Sequence, residues 1–240
     1  MIKITFPDGI EKEFKKGITV LDIAKSISDG FARKVLSAKF NQDIVEASTE
    51  LKVDGKILFY TWNDDEGKAA FWHSSAHVLA QAILSLYPYA KLTIGPAIEN
   101  GFYYDADFGK RTFSENDLEE LEKKFKDFAS QKSVFNMRES SKKDALNYYK
   151  KINNPYKIEL IEDLDDGTIT FCDHSDFTDL CKGGHIPNTG LIKAVKLTSV
   201  AGAYWRGDET NNQLTRIYGI SFPKNKDLTK YLDLLEKAKE

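Results

Sequence analysis

Long apolar runs are missing from this 240-residue chain, and none approaches the roughly 20 residues that a membrane-spanning helix needs. The start, Met1 to Phe14, has no apolar core of the kind a secretory signal carries. A membrane span and a signal peptide are therefore both excluded, and a cytoplasmic location is expected. Cysteine is scarce: Cys172 and Cys181 are the two in the chain. A disulfide framework is ruled out, and because a cytosol keeps thiols reduced, chemistry or burial is the better reading of each. An excess of positive charge is missing too, with 34 Lys and Arg against 37 Asp and Glu and a formal net charge of −3. Such a chain has no global attraction for a phosphate backbone, so any nucleic-acid contact has to be local or supplied by another part of the molecule. Internal repeats and low-complexity tracts are also absent.

What the chain does have is a globular balance, 41% hydrophobic and 30% charged, in a length that suits one large domain or two unequal ones. Ile2, Ile4 and Phe6 alternate as a strand does, Pro7-Asp8-Gly9 turns the chain, and Ile10 to Phe14 returns. Thr19 is placed to cap a helix carrying Val20, Leu21, Ile23, Ala24 and Ile27, and strand-like pieces follow at Val35–Phe40 and Lys56–Tyr60. Two strands, a helix and further strands suggest a ubiquitin-like β-grasp. The polar stretch Asn63 to Gly67 then marks a domain boundary.

The second unit opens with an amphipathic helix expected over Lys68–Tyr87. Strands at Lys91–Ile98 and Phe102–Asp107 flank Asn100-Gly101, a hairpin signal. Ser114 and Asp117 resemble a capping box ahead of a helix with Leu118, Leu121, Phe125 and Phe128 on one face. A shorter helix is expected over Lys142–Lys150, ending before Asn153-Asn154-Pro155. The region from Thr168 to Phe222 reads as largely β, with strands at Lys193–Val200 and Gln213–Ile220. A last amphipathic helix is expected over Lys226–Lys239.

Three of the four histidines fall in two short motifs. His73 and His77 stand four residues apart, which on a helix stacks both on one face. Cys181 and His185 flank a glycine pair that lets the backbone turn sharply, so both can point at one spot. His174 belongs to neither motif and reads as an ordinary loop residue. Two chemistries suit this set. The four donors match a zinc site, although four protein ligands close the tetrahedral shell that a catalytic zinc keeps open. Alternatively, neutral imidazoles hold and deprotonate a water while neighbouring donors stabilise the oxyanion. Residue types alone leave both open.

Several separated motifs, in order, resemble the amino-terminal half of bacterial-type threonyl-tRNA synthetases. They are His73 to His77, Thr93 to Pro96, Glu99 to Asp105, Asp179 to His185, Ala201 to Asp208 and Arg216 to Gly219. The resemblance implies an α+β fold class: residues 1–62 as a TGS domain of β-grasp type, 63–224 as a larger α+β editing domain with antiparallel sheet and flanking helices, and 225–240 as the start of a helical linker. It implies hydrolysis of mischarged seryl-tRNA(Thr), and no aminoacylation by this chain alone. The site residues it implies are His73 and His77 for the attacking water, Lys157 for the ester or water, and Asp179 for a polar substrate group. Cys181 and His185 would complete the pocket. In related alanyl-type modules the tetrad His73, His77, Cys181 and His185 corresponds to a zinc site, whereas the threonyl-type site is expected to need no metal. Gly184 stands where the family commonly has proline, and Cys172 has no place in the family pattern.

The partners implied are the acceptor end of tRNA(Thr) carrying serine and the catalytic and anticodon-binding domains of a longer synthetase, itself expected as a homodimer. Lys193, Lys196, Tyr204, Trp205 and Arg206 are candidates for the RNA contact. Two other readings remain: a non-catalytic binding module held by structural zinc, and a freestanding deacylase of alanyl type.

Overall fold

The computed structural model describes residues 1–238. Its first unit contains β1 (Ile2–Thr5), β2 (Glu11–Phe14), β3 (Ile18–Thr19), α1 (Val20–Ile27), α2 (Asp29–Ala32), β4 (Ser37–Phe40), β5 (Asp43–Val45), β6 (Glu50–Leu51) and β7 (Gly55–Tyr60). One sheet runs in the order β2-β1-β7-β4-β5. Its central pair, β1 and β7, is parallel, and the other neighbours are antiparallel. Ile2 and Ile4 alternate inward and meet Val20, Ile23 and Ala24 of α1, as the period-2 and helical spacings require. Thr19 caps α1 by accepting from the Asp22 N–H. This is the expected β-grasp.

A short junction ties the two units. The Asp64 carboxylate accepts from the Thr61 N–H at 2.7 Å, and the Thr61 carbonyl lies where a Cβ on Gly67 would sit, 1.9 Å away. Only glycine lets the next helix start so close to the incoming strand. Leu36 of the first unit is buried in the core of the second.

The second unit is α+β. Its elements are α3 (Asp65–Leu86), β8 (Lys91–Leu92), β9 (Ala97–Ile98), β10 (Gly101–Asp107), α4 (Glu115–Ser130), β11 (Asn136–Glu139), α5 (Lys142–Lys151), α6 (Pro155–Glu162), β12 (Thr170–His174), β13 (Phe177–Leu180), β14 (Ala194–Tyr204), β15 (Gln213–Phe222) and α7 (Asn225–Lys237). An antiparallel sheet runs β14-β15-β10-β8, with β9 paired to β10 beside Asn100-Gly101, and a smaller one runs β11-β12-β13. The expected strand Lys91–Ile98 is broken in two around Gly95-Pro96. Ser114 and Asp117 form the capping box of α4, whose Leu121, Phe125 and Ala129 enter the core.

The helix expected to be amphipathic is not so. Between Gly67 and Ile83, α3 is buried on almost every side, with Ser74, Ser75, His77 and Gln81 inside along with the apolar residues. It packs against α4, β10, β9 and β15 at once, so it has no free polar face. The buried serines are satisfied locally: Ser74 donates to the Ala70 carbonyl and Ser75 to the Phe71 carbonyl. The last helix is described over Asn225–Lys237, and Lys239 of the expected span lies outside the described residues. Among the described residues no helix is long and apolar enough to cross a membrane.

Candidate functional site

The helical pitch of α3 places His73 and His77 over one another, their ring centroids 4.8 Å apart. Opposite them, β13 delivers Asp179 and leads into the loop of Cys181. Gly183 and Gly184 follow with φ of +99° and +90°, the left-handed region that an L side chain rarely adopts. Two sharp turns in succession bring His185 back behind Cys181. Proline fixes φ near −65°, so the path taken at Gly184 is one that a proline-bearing relative has to replace. The loop is pinned to α3 where the Ile186 N–H donates to Ser74 Oγ at 2.9 Å.

The two motifs do meet. His73 Nε2 lies 3.1 Å from Cys181 Sγ, and Cys181 Sγ lies 3.4 Å from His185 Nε2. The donor atoms of His73, His77, Cys181 and His185 all fall within 4.8 Å of one another. Lys157, at the start of α6, reaches in from another side to pair with Asp179 at 2.6 Å, both side chains buried. Tyr104 of β10 donates its hydroxyl to the second Asp179 oxygen at 2.7 Å, and His77 Nδ1 stands 3.4 Å from that same oxygen. Neither ring nitrogen of His77 has a hydrogen-bond partner among the described residues, although both are buried.

These groups floor a cavity of about 730 Å³, whose lining includes His73, His77, Tyr104, Lys157, Asp179 and Cys181. His185 is not part of that lining: it is fully buried behind Cys181. Of the two residues expected to complete the pocket, Cys181 lines the cavity and His185 stands behind it.

The electrostatics follow from burial and proximity. Burial alone would raise the Asp179 carboxyl, but Lys157 and His77 hold it well below the usual carboxylate range. Burial also opposes ionisation of Cys181; the charge of His77 and the hydrogen bonds of His185 and His73 outweigh it and hold the thiol far below its ordinary value. His185 is pushed up to about 12, because hydrogen bonds to Cys172, Cys181 and Glu46 overcome its desolvation. Burial lowers His73, so this imidazole is neutral at neutral pH. Cys172 is an inert neighbour, its thiol pushed up to about 11 by burial.

Two family models match. One, described as the threonyl and alanyl tRNA synthetase second additional domain, covers residues 169–218. The other, the TGS domain, covers residues 2–61. The threonine–tRNA ligases of Flavobacterium psychrophilum and Flavobacterium johnsoniae are each 62% identical over 239 residues, and that of Cytophaga hutchinsonii is 58% identical over 240. Along its whole length the chain matches the amino-terminal part of threonyl-tRNA synthetases. All of this chain is matched, against 37% of the length of each of those ligases. Of the site residues, Asp179, Cys181 and His185 fall inside the segment matched by the synthetase second additional domain, and His73, His77 and Lys157 outside it.

Two residues at the site escaped the sequence reading. Tyr104 sits in a strand whose alternation signals only core, and Glu46 lies in the other domain. Both are visible only once the chain is folded. His174, read as a loop residue, is a buried member of β12, packed between Phe135 and Phe177 and hydrogen-bonded to Gln81. The supposed RNA contacts are mostly occupied. Trp205 is buried and donates its indole N–H to Glu159. Arg206 pairs with Glu159 and Asp163, each at 2.6 Å, and Lys196 with Glu122 at 3.4 Å. Lys193 and Tyr204 stay exposed.

Proposed function

We propose that this chain hydrolyses the ester of mischarged seryl-tRNA(Thr), proofreading the threonyl-tRNA synthetase to which its sequence is matched. The observation that carries the reading is the convergence of His73, His77, Lys157, Asp179 and Cys181 on one cavity. Serine lacks one methyl of threonine, and a methyl(ene) gives only about 1–3 kcal/mol of discrimination in a binding pocket. A second pocket that sterically excludes the methyl reverses the test, so the smaller wrong product is cleaved.

In this reading water attacks the aminoacyl carbonyl carbon and the ribose oxygen leaves. Neutral His73 accepts the proton of the water, and His77, with ring nitrogens free of other bonds, positions it. Lys157 offers positive charge to the developing oxyanion. Asp179, kept ionised, holds Lys157 and accepts from the seryl ammonium or a ribose hydroxyl.

The set His73, His77, Cys181 and His185 also suits zinc in donor type and closeness. A zinc ion there would polarise a bound water or simply brace the fold. The reading favoured here needs no metal for hydrolysis. By family likeness, the acceptor end of tRNA(Thr) and the remaining domains of a homodimeric synthetase are the proposed partners, in the cytoplasm.

The decisive experiment is deacylation of matched seryl- and threonyl-tRNA(Thr), with and without a chelator. Cleavage of the seryl ester alone is expected, unaffected by chelation, with His73→Ala slower by about 10²–10⁴-fold. Equal rates on the two esters, or full activity of His73→Ala, would overturn the reading. Loss of activity on chelation would transfer it to the metal-dependent route.

A further inference from the structure

His185 lies behind the cavity wall, and its environment there is asymmetric. Phe135 and His73 both stack against its ring, with centroids 5.0 Å and 4.9 Å away and planes 9° and 26° from parallel. Stacking alone does not decide which ring nitrogen faces which neighbour; the contacts at the ring edge do. Nε2 faces Cys181 Sγ. At the opposite edge, Nδ1 donates to Glu46 Oε1 at 2.6 Å, and the His185 backbone N–H donates to the same oxygen at 3.3 Å. One carboxylate thus grips both the ring and the main chain of a single residue.

Glu46 comes from the β-grasp unit, 139 residues away in sequence. It follows β5 directly, in a tight turn where its N–H donates to Thr49 Oγ1 at 3.2 Å and its carbonyl accepts from the Thr49 N–H at 3.0 Å. Both backbone groups are therefore tied down, and the side chain, 11% exposed, reaches His185 of the second unit. Two residues earlier, Ile44 lines the cavity itself. The same short segment of the first domain thus reaches the site twice.

We infer that Glu46 is a positioning residue of the hydrolytic site, and that the β-grasp domain completes this site rather than only neighbouring it. Nδ1 of His185 carries a proton held by Glu46, whether the ring is neutral or charged. That leaves Nε2 as the atom presented to Cys181, and it sets the ring against which His73 stacks. A carboxylate on the far nitrogen of a functional histidine fixes which nitrogen faces the chemistry and how the ring is turned. Without Glu46, Cys172 Sγ at 3.8 Å is the remaining neighbour of Nδ1 and a poor acceptor.

The inference rests on the hydrolytic reading above, and the test separates the two. In the full 240-residue chain, Glu46→Ala and Glu46→Gln are compared with wild type. Glutamine keeps an acceptor oxygen at the same reach but removes the charge. The readouts are kcat and KM for seryl-tRNA(Thr) deacylation, and the exchange-protected proton resonance of His185 Nδ1 at one pH. Glu46→Ala is expected to lower kcat by about 10–100-fold with little change in KM, and to lose that resonance. Glu46→Gln is expected to keep the resonance and most of the rate. A Glu46→Ala protein that retains rate and resonance overturns the inference. So does a Glu46→Gln protein that falls as far as Glu46→Ala, because charge and not orientation would then be at work. If wild type cleaves no ester, the functional reading fails, while the resonance still decides whether Glu46 fixes His185.

Discussion

His174 shows what burial does to one titratable side chain. It is 1% exposed, held by Gln81 on one nitrogen, and its pKa is pushed down to about 3 by desolvation, with the nearby charges of His77 and His185 adding to the effect. In the unfolded chain a histidine titrates near 6.5. Below that pH the unfolded state binds a proton that the folded state refuses. The contribution of His174 to stability is therefore complete above pH 6.5 and is lost progressively as the pH falls towards 3. At pH 5 the loss amounts to about 2 kcal/mol. His174→Gln, which cannot take up that proton, should narrow the stability gap between pH 7 and pH 5 by about 1–2 kcal/mol in urea unfolding. A gap of unchanged width would show that another group carries the acid sensitivity. None of this was legible beforehand. A lone histidine with no motif partner gives no sign that a strand will bury it, whereas the His73/His77 and Cys181/His185 spacings announce themselves. Lys157 and Asp179 are intermediate cases: only the family likeness singles them out.

Lys157 also depends on the element that carries it. The helix α6 begins at Pro155, a residue suited to the first turn because its missing N–H would be unpaired there anyway. Asn154 caps it, accepting from the Lys157 N–H at 3.1 Å while its amide donates to the Leu92 carbonyl at 2.9 Å. One side chain thus fixes both the start of the helix and its distance from β8. Asn154→Ala should cost about 1–2 kcal/mol of stability, the usual range for a lost cap. It should also slow deacylation by letting Lys157 drift from Asp179; chemical denaturation and single-turnover rates check the two effects. A variant as stable and active as wild type would show that the Lys157–Asp179 pair positions itself. Elements were legible where their pattern is local: the caps at Thr19 and Ser114, the Asn100-Gly101 turn and the strands β14 and β15. The helix α6 was not picked out, because eight residues after a proline carry too little periodicity. The burial of α3 was misjudged for the opposite reason. Its serines and histidines look like a polar face, and only the sheet and helices packed around it show that they are satisfied inside.

Across the whole molecule charge is compensated as well as slightly negative. Of the basic residues suggested for RNA, Lys196 and Arg206 already answer carboxylates, and Trp205 is committed to the core. Lys193, exposed just before β14, has no ion-pair partner among the described residues and is free to meet a phosphate. This limits how the chain engages an acceptor end. Each phosphate neutralised adds about 0.7–0.9 to the slope of log affinity against log salt. With Lys193 the one uncommitted cation of the three suggested for RNA, the slope for an acceptor-stem RNA should be shallower than about −2 between 50 and 200 mM salt if those residues make the contact. Fluorescence anisotropy of a labelled acceptor minihelix over that range measures it directly, and Lys193→Ala should flatten it further. A slope near −5 would mean that the ion pairs of Arg206 and Lys196 open to receive RNA. A shallow slope would show that these residues contribute little to RNA affinity.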